Sequence, residues 1–206
     1  MLHIIGRSNS GNVQKVLWAC EELSLPFTRE DRGGTFGGND DPHYLKMNPN
    51  GLVPTIIDGD AVIWESNTIL RYLACKYGAD TMWEPDPAQR TLGERWMDWQ
   101  LAVLAPAHRV LFYQLIRTPE DKRDQTAIAK SRDMMATAMQ LFDQGIPDST
   151  YLGGERFTVA DIALGIFVHR WFALPIFREP YPRAQRWYRA IAERQGFRKY
   201  VDVGLS

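Results

Sequence analysis

Every run that reads as a β-strand lies before Glu65, and from Pro87 onward the apolar residues recur only at helical spacing. Leu2 to Gly6 is a short apolar run closed by glycine, and Val13 to Leu23 follows with helical periodicity until Pro26 interrupts it. Phe27 to Asp31 predicts a second strand, and Gly33, Gly34, Gly37 and Gly38 then make a stretch too flexible for regular structure. A right-handed β-α-β crossover is the natural assembly. Pro54 to Ile57 and Ala61 to Ile63 flank Asp58-Gly59, the signature of a hairpin, and Glu65 to Tyr77 resumes helical spacing up to Gly78. The first part of the chain therefore spells β-α-β-α-β-β-α.

Asp80, Glu84, Pro85 and Asp86 mark a composition shift, so residues 80–86 are expected to link an α/β domain over 1–79 to an all-helical domain over 87–206. Ala88 to Ile116 is one long amphipathic pattern bearing Trp96, Trp99, Leu101, Leu104 and Leu111, with a kink expected at Pro106. Pro119, Glu120 and Asp121 suit the first turn of a second long helix through Phe142. Thr158 followed three residues later by Asp161 resembles a capping box ahead of the apolar run Ile162 to Phe167, and is read as a helix start and nothing else. Pro182 to Arg194 and Phe197 to Val201 complete the helices, without internal repeats or low-complexity segments.

Composition narrows the function classes. With 24 basic against 25 acidic residues in 206, and no basic block, the chain has no bulk field to hold a polyanion, so a small-molecule partner is favoured over nucleic acid. No apolar run approaches the roughly 20 residues of a membrane span, and Met1-Leu2-His3 leads straight into structure, which predicts a soluble, unsecreted protein. Cys20 and Cys75 are too few and too far apart for a disulfide framework or a zinc site, and the four histidines lack ligand spacing, so no metal is expected. Cys20, inside an apolar helical pattern, reads as a buried inert thiol.

Three clusters could carry chemistry. Ser8-Asn9-Ser10-Gly11-Asn12 joins the first strand to the first helix, where unpaired N–H groups and the positive end of the helix dipole would stabilise an anion. A thiolate is such an anion, and the sulfur would have to arrive on a ligand; alternatively Ser10 or Asn12 simply caps the helix. In Asn48-Pro49-Asn50-Gly51-Leu52-Val53-Pro54, Pro54 cannot donate to a ladder, which leaves the Val53 backbone free for another peptide unless the segment is a plain turn. At Glu65-Ser66-Asn67 the serine can cap the third helix, or its neighbouring N–H groups can hold a carboxylate while Glu65 attracts an ammonium, together an α-amino-acid end.

In order and spacing, residues 48–54 (N-P-N-G-L-V-P) and 64–73 (W-E-S-N-T-I-L-R-Y-L), set in β-α-β-α-β-β-α and followed by an all-helical half, resemble the cytosolic glutathione transferase family, in its bacterial, serine-type, theta- or beta-like branch. The resemblance covers essentially the whole chain. It implies a thioredoxin-like N-terminal domain, glutathione as co-substrate and no metal. It implies that the Val53 backbone pairs with the cysteinyl part of glutathione, that Pro54 is cis, and that Glu65 and Ser66 hold the γ-glutamyl end. Ser10 falls where serine-type members place the hydroxyl that stabilises the thiolate, with Asn12 assisting, and Ser8 is its rival. Arg32, His43, Lys46 and Asn50 lie where the family supplies partners for the glycyl carboxylate, Lys46 and Asn50 being taken as the candidates. No tyrosine occupies this loop and no cysteine replaces Ser10, which disfavours a mixed-disulfide mechanism. Ala105, Arg109, Phe112 and Tyr113, at one-turn spacings on the first long helix, are candidates to line the electrophile pocket, each with core packing as the rival role. The implied protein is a cytoplasmic, detoxifying homodimer that adds the glutathione sulfur to a small electrophile. The alternatives on the same fold are a non-catalytic binder of glutathione or apolar ligands, and a glutathione-dependent peroxidase or isomerase.

Overall fold

A computed structural model describes residues 1–79 and 81–205; Asp80, the first residue of the expected 80–86 passage, and Ser206 lie outside the described residues. The strands β1 (Leu2–Ile5), β2 (Phe27–Glu30), β3 (Thr55–Asp58) and β4 (Ala61–Trp64) form one sheet in the order β2-β1-β3-β4. β1 runs parallel to β2 across the helix α1 (Gly11–Glu22) and antiparallel to β3, and β3 and β4 make the expected hairpin across Asp58-Gly59. Parallel pairing requires such a crossover, whereas the antiparallel pair needs only a tight turn. Ile4 of β1 and Ile56 of β3 pair directly, and both are fully buried.

The second helix of the series is the short α2 (Pro42–Met47), with Pro42 in its first turn and the Asp41 carboxylate accepting the His43 N–H at 2.8 Å. It follows a single 3-10 turn at Gly34–Phe36 within the glycine-rich stretch. α3 (Ser66–Tyr77) ends at Gly78 as expected.

The helical half departs from expectation in two places. The pattern from Ala88 to Ile116 is continuous in direction but changes register: α4 (Pro87–Trp99), a π-helical turn over Gln100–Leu104, α5 (Ala105–Phe112) and a second π-helical turn over Tyr113–Arg117. Pro106 has no N–H to offer the carbonyl four residues back and its ring crowds that carbonyl, so the wider turn stands where a plain kink was expected. The next long helix, α6 (Gln125–Gly145), starts six residues later than expected: Pro119 leads only into a 3-10 turn, and Asp124 is the residue whose carboxylate caps the helix, on the Ala127 N–H at 2.9 Å.

α7 (Val159–Ala173) begins with the capping box of Thr158 and Asp161, but Asp161 does more than start a helix. Its fully buried carboxylate also accepts the Leu152 N–H at 3.0 Å and the Trp187 indole N–H at 2.8 Å, tying a loop and α8 (Pro182–Ala192) to the most buried helix of the fold. α9 (Gln195–Tyr200) closes the chain against α1. There Trp18 sets its ring edge-on to Phe197 at 5.3 Å, and a Cβ on Gly196 would fall 2.3 Å from the Trp18 ring. Glu22 pairs with Arg194 at 2.6 Å beside this contact. One apolar core therefore runs through both halves. No helix of the described residues is long and apolar enough to cross a membrane.

Candidate active site

The loop from β1 to α1 begins at Gly6, where φ is +150° and a Cβ would meet Val13 at 2.6 Å and Val53 at 3.0 Å, so the chain can turn here against the Val53 segment only without a side chain. Ser10 stands at the N-cap of α1 with extended backbone, and its carbonyl accepts the Gln14 N–H at 2.8 Å. Its hydroxyl makes no capping bond. The serine is 9% exposed and, with Gly11 and Asn12, lines a cleft of about 480 Å³ walled on the other side by α5 and α7. Ser8 is exposed and is not among the residues lining this cleft.

Pro54 follows Val53 through a cis peptide, and the Val53 N–H and C=O have no hydrogen-bond partner among the described residues. The preceding turn is held from inside: the Asn48 amide and the Tyr44 hydroxyl both donate to the Leu52 carbonyl, at 2.8 and 2.5 Å.

At the start of α3 the capping expectation is corrected. Glu65, not Ser66, occupies the N-cap, with a φ of 69° that costs a non-glycine residue on the order of 1 kcal/mol or more. Ser66 is the first helical residue, so its hydroxyl is spent elsewhere: it donates to Asn12 Oδ1 at 3.2 Å. That bond joins the first and third clusters directly, which their separation of 54 residues in the chain did not disclose.

Beneath them lies Lys15, which sequence reasoning missed. Its Nζ, fully buried, donates to Ser66 Oγ at 3.3 Å, Asn67 Oδ1 at 3.0 Å and Gln100 Oε1 at 2.9 Å. Burial pushes this amine down to about 7, against the attraction of Glu65 and with the repulsion of Arg170. The signal available in the sequence was a lysine inside the mostly apolar run V-Q-K-V-L-W-A-C over 13–20, and the structure buries all eight of these residues. Cys20 in the same helix is the inert thiol expected, raised to about 12 by burial.

Ala105, Arg109, Phe112 and Tyr113 all line the cleft, Phe112 while also buried. They are joined by Leu52 of the second cluster and by Arg7, His108, Arg117, Phe167 and Arg170, none of which the sequence had placed in a pocket. Lys46 on α2 and Asn50 in the following turn are exposed and outside this lining, and the Asn50 N–H donates to Asn48 Oδ1 at 3.1 Å. Arg32 is engaged with Glu30, with the Gly38 carbonyl and over the Tyr44 ring, and the His43 N–H serves the cap of α2. Among the described residues no group of three or more His, Cys, Asp and Glu is placed to hold a metal.

The family profile described as "Glutathione S-transferase, N-terminal domain" matches residues 9–75, and "Glutathione S-transferase, C-terminal domain" matches residues 125–190. The chain is 42% identical to glutathione S-transferase GstB of Escherichia coli over the whole of both sequences, and 30% identical to glutathione S-transferase 3 of Zea mays over 97% of this chain and 93% of that one. Its structure is similar, with a TM-score of 0.95 and 42% identity over 100% of this chain and 99% of the other, to the theta class glutathione S-transferase from Xanthomonas axonopodis pv. citri with glutathione bound.

Proposed function

Because the chain belongs to the glutathione S-transferase family, we propose that Ser10 stabilises the thiolate of bound glutathione and that the sulfur attacks an electrophile held in the cleft between α1, α5 and α7. The observation that carries this reading is a hydroxyl at the N-cap of α1 that caps nothing and borders the cleft. Such a hydroxyl donating to sulfur, with the positive end of the helix dipole behind it, lowers a thiol from about 8.5 to about 6.5, which keeps the nucleophile populated near neutral pH. Holding both reactants side by side supplies the remaining acceleration.

The rest of the tripeptide follows from the groups around Ser10. The Val53 backbone supports an antiparallel pairing with the cysteinyl residue, since its N–H and C=O are not used by the fold. Glu65 and Ser66 receive the ammonium and carboxylate of the γ-glutamyl end, and Asn12, its carbonyl held by Ser66, keeps its amide N–H groups as donors beside the sulfur. Lys46 and Asn50 are the candidates for the glycyl carboxylate. The domain division is part of the same proposal: a glutathione-binding unit over 1–79 and a helical unit over 87–206 that supplies the wall of the second pocket. We place the enzyme in the cytoplasm as a detoxifying homodimer, for which light scattering at micromolar concentration should give the mass of two chains.

The decisive experiment is Ser10→Ala with the bound thiol titrated by its thiolate absorbance. The thiol should rise by the hydroxyl's share of those roughly two pH units, the helix dipole remaining in place, and the conjugation rate near neutrality should fall with the thiolate fraction. An unchanged titration with an unchanged rate removes Ser10 from the mechanism.

A further inference from the structure

The cleft beside Ser10 gathers positive charge. Arg7 from the β1–α1 loop, Arg109 from α5 and Arg170 from α7 line it together with Arg117, and no Asp or Glu is among its described lining residues. Arg7, Arg109 and Arg170 have no carboxylate partner among the described residues. Arg170 lies against the N-terminus of α1, where a Cβ on Gly11 would stand 2.9 Å from its guanidinium carbon, so the helix dipole adds to the same field. Burial, then Arg117 and Arg7, push Arg170 down to about 10, the mark of like charges gathered in a site with restricted solvent.

Two further features belong to a ligand site. The walls between the charges are aromatic: the Arg170 guanidinium lies 4.3 Å from the Phe112 ring centre, and His108 stacks on Phe112 and meets Phe167 edge-on. His108 is 2% exposed and lines the cleft, and its Nε2 has no hydrogen-bond partner among the described residues. Apolar walls with a few convergent cations describe a pocket for a small organic anion.

We propose that the electrophile taken by this cleft is itself an anion: a small carboxylate whose charged end is held by Arg109 and Arg170, with its carbon framework against Phe112 and Phe167 and its reacting carbon toward Ser10. The inference rests on the transferase reading above and specifies its second substrate. In the reaction of a chlorinated carboxylate, the thiol proton passes to solvent, the sulfur lone pair forms the S–C bond, and chloride leaves with the electron pair of the broken C–Cl bond. The carboxylate is unchanged throughout; the arginines bind and orient it.

The test compares 4-chloro-3,5-dinitrobenzoate with its methyl ester, each kcat/KM divided by the uncatalysed rate with glutathione so that intrinsic reactivity cancels. The native enzyme should favour the benzoate by about tenfold or more, the scale of one charge-assisted hydrogen bond. Arg109→Gln, on an exposed side chain whose replacement leaves the core intact, should cut that preference by about tenfold, and high salt should erode it as well. Equal acceleration of both compounds overturns the proposal, as does an R109Q variant that loses both equally while its KM for glutathione rises, since the arginine would then serve glutathione itself. Turnover of neither compound, with glutathione still bound in calorimetry, overturns instead the transferase reading on which it rests.

Discussion

Lys15→Met tests the polar network under the active site through its pH dependence. In the native state the Lys15 amine is fully buried among the oxygens of Ser66, Asn67 and Gln100, and burial holds it down to about 7, against 10.5 for an exposed lysine. Between those two values the unfolded chain carries a proton that the folded chain has released. Stability therefore rises with pH across this window. Below about 7 both states are charged and the full cost of burying the ammonium is present. At about 1.4 kcal/mol per unit, the 3.5-unit interval amounts to about 5 kcal/mol by pH 10.5. Methionine has a similar length and no proton to lose, so the stability of native protein minus that of K15M should climb by about 1.4 kcal/mol per pH unit between about pH 7.5 and 9.5. Urea unfolding followed by tryptophan fluorescence at several pH values in that range measures it. Other titrating groups cancel in the difference. Two parallel stability curves would refute the reasoning, because they would mean that the amine keeps its proton in the folded protein.

Asp58 gives the opposite sign. Burial alone would raise its carboxyl, but bonds from Lys76, Tyr77 and Tyr72 to Oδ2 hold it down to about 2, so its contribution is present above about pH 4 and is lost as pH falls toward 2. Asp58→Asn should cost about 1–2 kcal/mol at pH 7, allowing for screening of the exposed Lys76, with the gap closing near pH 2 in urea titrations. Gly196→Ala should lower the thermal midpoint by several degrees, on the order of 1–3 kcal/mol, because its methyl would have to displace Trp18; an unchanged midpoint would deny that α9 is locked against α1. Asp161→Asn places an amide N–H₂ against donors from Leu152 and Trp187 or from Thr158, and should cost about 2–4 kcal/mol in the same unfolding assay.

Much of the site was legible as three separate segments. The Ser10 loop, the turn into Val53-Pro54 and the Glu65-Ser66 helix start are all local features, because strand ends, prolines and helix starts declare themselves within a few residues. Their mutual bonds were not legible. Ser66 looked like a cap in its own segment and proves to be a donor to Asn12, a bond that exists only because α1 and α3 pack side by side on one face of the sheet. Asp58 read as a turn residue and gathers three side chains from α3.

What the chain determined by itself was therefore the sequence of elements, the hairpin, the capping box at Thr158 and the family to which these belong. Side-chain periodicity and turn chemistry are properties of neighbours a few residues apart. Tertiary structure decided which charges are buried and what they face. Lys15 meets Gln100, and Arg170 reaches the end of α1 beside Gly11, across separations that no local pattern encodes. A side chain's solvent and electrostatic partners are set by packing between elements, and in this protein they turn an ordinary lysine into a buried polar hub and a set of scattered arginines into one wall of a cleft.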